Sequence, residues 1–147
     1  MAYKKILVAV DLTDEAEEVL QQAQETAKQN GAELSLLSVV KPINQVYAGF
    51  DVAALSADAA MIEQDAVRQA NERLATLGKQ FGVPATRCEV GRGSPSFEIR
   101  EAAKKKGVDL IVIGTHGRHG LGLLLGSTAN GVLHGAPCDV LTVRIGT

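Results

Sequence analysis

Between Gly114 and Thr128 the chain reads Gly-Thr-His-Gly-Arg-His-Gly-Leu-Gly-Leu-Leu-Leu-Gly-Ser-Thr, with glycine at positions 114, 117, 120, 122 and 126. Residues without a Cβ let backbone N–H groups come close to a ligand, and phosphate oxygens are the acceptors that such a loop suits. The loop follows Val108-Asp109-Leu110-Ile111-Val112-Ile113, an apolar run that reads as a buried strand, and precedes a short helical pattern opened by Ser127 and Thr128. A helix start at that place adds the partial positive charge that favours an anion. Two readings remain open: a phosphate cradle, or a surface loop whose glycines serve turn geometry alone. Under the first, valine at Gly117 or Gly126 blocks close approach and disfavours positive φ, so the ligand is lost while the fold survives.

Other residues with chemical potential are sparse. His116 and His119 are three apart, and His134 and Cys138 are four apart. A structural zinc would need all four to converge. We read no metal site, with His116 and His119 flanking a phosphate site or facing solvent. Cys88 and Cys138 sit in or beside expected strands and read as buried thiols in a reducing compartment. No Gly-Lys-Ser/Thr element places a lysine on a phosphate, and no Ser/His/Asp set is readable, so no catalytic residue is assigned.

Composition narrows the classes. The 147 residues are 46% hydrophobic and 22% charged, which fits one globular domain spanning residues 1–147. A net charge of −2, 3% aromatic residues and no tryptophan leave neither an electrostatic footprint nor stacking platforms for nucleic acid. No run has the length of a membrane span and no basic-then-apolar leader opens the chain, so a cytoplasmic location is expected, with neither membrane nor nucleic acid as partner.

The elements that must position the loop alternate in period. Lys5 to Val10 reads as a buried strand. Thr13 is expected to cap a helix with Ala16, Val19, Leu20, Ala23 and Ala27 on its apolar face, ended by Asn30-Gly31. Leu34 to Val40 is a second strand. Ile43 to Leu55 lacks a period and reads as a mobile connection placed to lie over a site. A helix from about Asp58 to Gln80 follows, with Ile62, Ala66, Ala70, Leu74, Leu77 and Phe81 as its buried stripe. Arg87 to Val90 is a third strand, and Ser94-Pro95 is a strong helix start. That helix closes on Lys104, Lys105, Lys106 and Gly107. The fourth strand, the glycine loop, a helix to about Gly135 and a last strand from Asp139 to Arg144 complete the chain.

Five strands with intervening helices make a parallel α/β sheet covered on both faces. Ligands of such sheets bind at the carboxyl ends of strands where the winding reverses. In the order 3-2-1-4-5, strands one and four meet there. Asp11 at the end of strand one then faces the glycine loop, either hydrogen-bonding a nucleoside or serving as a turn or capping residue.

Three segments together carry a family likeness: Lys4-Lys5-Ile6-Leu7-Val8-Ala9-Val10-Asp11, Asp109-Leu110-Ile111-Val112-Ile113-Gly114-Thr115-His116-Gly117-Arg118, and Ala136-Pro137-Cys138-Asp139-Val140-Leu141-Thr142-Val143-Arg144. The chain resembles the universal stress protein family. The resemblance implies a Rossmann-like, nucleotide-binding five-stranded parallel sheet of order 3-2-1-4-5 with helices on both faces. It also implies a cytoplasmic stress-response protein, commonly homodimeric, with one branch of the family binding ATP and another not.

ATP-binding members show a glycine, two residues, a glycine, nine residues, then glycine with serine or threonine. Here eight residues, Arg118 to Leu125, separate Gly117 from Gly126. The resemblance carries Gly114, Gly117, Gly126, Ser127 and Thr128 over as phosphate contacts and Asp11 as a nucleoside contact. It makes Val39 or Val40 the adenine holder; Ala9, Val10, Ile113 and Arg118 complete the expected site. The implied cofactor is ATP with Mg. The alternatives are a dimeric interaction protein of the same family with no nucleotide, or a slow ATPase using His116, Arg118 and His119. Strand five, with Val140, Leu141, Thr142 and Val143 free of proline and charge, is the expected homodimer edge. The tail Ile145 to Thr147 is too short to cover it.

Overall fold

The computed structural model describes residues 2–13, 15–42, 56–115 and 126–145. The connection expected over Ile43–Leu55 lies outside these residues, as does 116–125 of the glycine loop. The apolar runs become five strands: β1 (Lys5–Ala9), β2 (Glu33–Val40), β3 (Cys88–Arg92), β4 (Leu110–Gly114) and β5 (Asp139–Val143). They form one parallel sheet in the order β3-β2-β1-β4-β5. Four helices run among the described residues: α1 (Ala16–Asn30), α2 (Ser56–Phe81), α3 (Pro95–Lys106) and α4 (Ser127–Gly135).

β1 is the centre of the sheet because both of its faces are apolar. Ile6 pairs with Leu34 on one side and Leu110 on the other, and Val8 with Leu36 and Val112. The two-residue period sends Ile6, Val8 and Val10 into the layer that α1 and α2 cover. Leu7 and Ala9 go into the opposite layer, against Ile99 and Ala103 of α3 and Ala129 and Val132 of α4.

The helices follow the expected faces with two corrections. In α1 the buried residues are Ala16, Val19, Leu20, Ala23 and Ala27, as their spacing predicts, and Gly31 ends the helix with φ 66°. Thr13, however, does not cap it. Glu15 occupies the N-cap position, and Thr13 shapes the preceding turn: its Oγ1 accepts from the Glu15 N–H at 3.3 Å and its carbonyl accepts from the Ala16 N–H at 3.1 Å.

In α2, Ala70, Leu74 and Phe81 are buried, but Ile62 is 51% exposed and Ala59 takes the inward place. Stepping by fours from Ile62 to Leu74 rotates the contact line by about 120° at 3.6 residues per turn. A straight helix on a sheet therefore cannot bury both. β3 also starts later than Arg87, which lies in a 3₁₀ turn (Ala85–Arg87) and donates from Nε to the Leu34 carbonyl at 2.8 Å.

α3 and α4 lie unusually close. A Cβ on Gly131 would stand 2.7 Å from Cβ of Ser96, and Arg100 Nη1 donates to the Gly131 carbonyl at 2.8 Å. This contact packs the middle of α4 against the first half of α3.

The amino ends of β1 and β4 are joined by Asp109. Its carboxylate accepts from the N–H groups of Lys4 (3.0 and 3.2 Å) and Lys5 (3.1 Å). Chiefly the Lys4 N–H, and also that of Lys5, hold its pKa below the ordinary carboxylate value. A depressed carboxyl pKa gives stability that is present above the unfolded value, about 4, and lost as pH falls through the folded value. We therefore expect Asp109→Asn to lower the melting temperature at neutral pH. The gap from the parent should close as pH is taken below about 4. Thermal unfolding of both proteins over a pH series checks this, and a gap that persists undiminished in acid contradicts it.

Candidate functional site

Parallel strands end together, and here the ends of β1, β2 and β4 open into a cavity of about 340 Å³. β1 and the residues after it supply Ala9, Val10 and Asp11, β2 supplies Leu37, Ser38 and Val39, and β4 with its successor supplies Ile113, Gly114 and Thr115. Gly126, Ser127, Thr128 and Ala129 enter from the start of α4, Pro95 and Ile99 from α3, and Glu15, Ala16 and Val19 from the start of α1. Lys41 and Ile145 complete the lining.

Nearly all the expected site residues that the structure describes therefore meet in one place. Ala9, Val10, Asp11, Val39, Ile113, Gly114, Gly126, Ser127 and Thr128 all line the cavity. Val40 does not, and its carbonyl instead accepts from the Gly93 N–H at 3.1 Å. Gly117 and Arg118 lie outside the described residues, as do His116 and His119.

The cavity is divided by polarity. Ala9, Leu37, Val39, Pro95 and Ile99 make an apolar wall on the side of α3. The starts of α3 and α4 border the cavity as well. α3 has Ser94 at its N-cap and Pro95 in its first turn, and α4 has Gly126 at its N-cap; neither helix has a side-chain capping hydrogen bond. Ser94 was expected to supply one. The first N–H groups of a helix have no intrahelical partner, so two helix starts beside one cavity present donors and positive dipole ends to an anion.

The glycines act differently from expectation. Gly126 has φ −64° and ψ 159°, which any residue adopts, and Gly114 has no positive φ either. Left-handed geometry is therefore not what requires glycine at 126. At Gly114 the reason is internal packing. A Cβ there would overlap Ile145 Cδ1 and come within 3.4 Å of Val19 Cγ2.

Two further lining residues escaped the sequence reading. Glu15 Oε2 and Thr115 Oγ1 are shut from solvent without a hydrogen-bond partner. No residue type or spacing marks them; burial without a partner is visible only in three dimensions. Lys41 and Pro95 were findable, because the residue after a strand and the first turn of a crossover helix share the carboxyl edge of a parallel sheet. Charged lining residues are Asp11, Glu15 and Lys41, and no histidine or cysteine is among the described ones.

The two cysteines lie elsewhere and are half-buried. Burial pushes both thiols up, and Cys88 donates to the Pro84 carbonyl at 3.5 Å. Among the described residues no cluster of three His, Cys, Asp or Glu side chains is placed to hold a metal ion.

Comparison with known proteins identifies the family. The model of the universal stress protein family matches residues 2–144. The chain belongs to the universal stress protein family. It is 42% identical over 144 residues to universal stress protein A homolog 2 of Coxiella burnetii, covering 97% of this chain and 96% of the relative. Universal stress protein UspA from Lactobacillus plantarum superposes with a TM-score of 0.81 at 26% identity, over 98% of this chain and 99% of that one. A universal stress protein solved in complex with cAMP matches with a TM-score of 0.62 at 26% identity, over 98% of both chains.

The packing role of Gly114 is open to a direct measurement in this universal stress protein. Gly114→Ala should destabilise by about 1–3 kcal/mol through overpacking. Ile145→Val removes the atom in the way, so the same alanine should cost much less in that background. Urea unfolding of the four proteins closes the cycle. An equal cost in both backgrounds would show that Gly114 is not held by Ile145.

Proposed function

We propose that this universal stress protein is a cytoplasmic, one-domain regulator that binds ATP or a related adenine nucleotide between β1 and β4. The observation that carries the reading is the cavity at the strand ends, lined by an apolar wall and by two helix starts without side-chain caps. A planar base suits Leu37, Val39 and Ile99; phosphates suit the N–H groups at Gly126, Ser127 and Thr128. The relative solved with cAMP supports an adenine nucleotide as the ligand class. Residues Ala9, Val10, Asp11, Ile113 and Gly114 form the floor of this reading, and Gly117 and Arg118 belong to its loop. Lys41 is the one cation among the described lining residues, against the carboxylates of Asp11 and Glu15. A triphosphate would therefore bring Mg as its counter-charge.

Mass analysis of the denatured, as-purified protein is the direct test, and a bound adenine nucleotide is the expected result. Protein that carries none, and shows no saturable ATP binding by calorimetry, ends the reading. Gly126→Val should lower ATP affinity at least about tenfold, the equivalent of one lost hydrogen bond to a charged group. Its melting temperature should stay near that of the parent, because the backbone angles at 126 accept valine. Unchanged affinity would remove Gly126 from the phosphate contacts.

The regulator works, in this reading, as a homodimer closed by β5. That strand is a sheet edge, and Val140, Leu141, Thr142 and Val143 are all only partly buried. The Val143 carbonyl accepts from the Thr115 N–H at 2.9 Å, so the backbone groups of Val143 point toward β4. Polar backbone groups alternate in direction along an extended strand, which turns those of Thr142 to the free edge. Ile145 is buried in the core, away from that edge. Thr142→Pro then deletes a donor facing the second copy while leaving the β4 ladder whole. We expect the parent to have the mass of a dimer at micromolar concentration and Thr142→Pro that of a folded monomer. A monomeric parent contradicts the dimer.

A further inference from the structure

The turn between β1 and α1 borders two hollows of the molecule. Asp11 lines the strand-end cavity, whereas Leu12 and Thr13 line a separate groove against α2. The turn is tight: the Thr13 N–H donates to the Asp11 carbonyl at 2.7 Å, and the Ala16 N–H to the Thr13 carbonyl at 3.1 Å. Those bonds fix the shape of the turn, not where it sits. Among the described residues, a single hydrogen bond reaches Asp11, Leu12 or Thr13 from outside residues 11–16. Arg73 of α2 makes it, donating from Nη1 to the Leu12 carbonyl at 3.3 Å.

α2 offers the turn more than this one group. Arg73, Leu77 and Gln80 follow at steps of four and three, which puts them on one face of the helix. All three line the groove. Leu12 and Leu77 both pack against the core layer that α1 and α2 cover. Two helical turns beyond Arg73, Gln80 Nε2 donates to Glu17 Oε1 at 3.3 Å, so it braces α1 itself and not the turn. Glu72, the carboxylate next to Arg73 in sequence, is paired with Arg68 at 3.0 Å. Arg73 is exposed, and a solvated arginine needs no main-chain partner. Its guanidinium nevertheless answers a carbonyl that, among the described residues, neither the turn nor α1 uses.

We infer that Arg73 is a positioning residue: from α2 it holds the turn in the place where Asp11 meets the nucleotide. This rests on the nucleotide reading and deepens it. Arg73 lines the groove and not the cavity, so it acts through Leu12 and Asp11 rather than by touching the ligand. When only part of a population holds the binding-competent conformation, affinity falls by that fraction. Losing the brace therefore weakens binding by no more than one hydrogen bond contributes, a factor of about 2–10.

Calorimetry with ATP tests this on the parent, Arg73→Ala, Arg73→Lys, Gln80→Ala, Asp11→Ala and the double variant Asp11→Ala/Arg73→Ala. Arg73→Ala should weaken binding about 2- to 10-fold, and Arg73→Lys, which keeps a donor, by less. Gln80→Ala should bind like the parent, although it too removes a bond made by α2. Where Asp11 is already alanine, the Arg73 substitution should cost much less, because its effect passes through Asp11. In the ligand-free protein, Arg73→Ala should speed hydrogen exchange at the bonded Thr13 and Ala16 amides and leave the core of α2 near Leu74 as it was. Three results overturn this inference and leave the nucleotide reading standing: an Arg73→Ala protein that binds ATP like the parent, an equal loss without Asp11 or in Gln80→Ala, or unchanged exchange at the turn. A parent that binds no ATP overturns both.

Discussion

The double-sided burial of β1 is the constraint from which the site follows. Ile6, Leu7 and Val8 are wholly buried, which requires a strand hydrogen-bonded along both sides and a helix layer on each face. The chain meets this by building outward from β1 in both directions. β2 and β3 extend one way under α1 and α2, and the crossover through α3 then returns the chain to place β4 on the other flank. Neighbouring strands β1 and β4 thus feed segments that leave to opposite sides, α1 into one layer and α4 into the other. The cavity is a consequence of topology before any side chain is chosen.

Side chains then determine what the gap can hold. In a parallel sheet every crossover helix starts at the carboxyl edge, so unpaired N–H groups gather there whatever the sequence. Most globular proteins cap such ends. Here α3 and α4 go without a side-chain cap, and Glu15 and Thr115 keep polar atoms buried without partners. Elsewhere the polar bookkeeping is tight: Asp109 answers two backbone donors, Asn30 Oδ1 accepts from the Tyr3 N–H at 3.1 Å, and Arg100 meets the carbonyl of Gly131. Among the described residues, the buried side-chain atoms that lack a partner both belong to residues lining this one cavity.

Strand order and helix faces were legible because they depend on periodicity and on likeness along the whole chain. The buried set of α1 and the end of that helix at Gly31 are local facts, written in the spacing of small apolar residues and one glycine. Ile62 was misread because a stripe drawn by steps of four leaves the contact line over several turns, and only the sheet beneath says where the line runs. Asp11, Gly114 and Ser127 were legible as neighbours in one cavity because the strand–loop–helix order sets all three at the carboxyl edge of the sheet. Glu15 was not, since an acid at a helix start reads as a dipole match on the surface. The reason for Gly114 was also invisible: it lies in Ile145, thirty-one positions away, which no local pattern connects to it.

Thr115 shows how the sheet edge and the cavity are joined. Its N–H donates to Val143 at the end of β5, and its carbonyl accepts from the N–H of Gly126 at the start of α4. One residue therefore ties the outermost strand, the tip of β4 and the start of α4 through its main chain alone. That leaves the hydroxyl free of structural duty and held in a fixed place beside the cavity. The same tie makes the position of Gly126 depend on the end of β5. A displacement of that strand would shift the helix start through two hydrogen bonds, without any need for a longer path through the core.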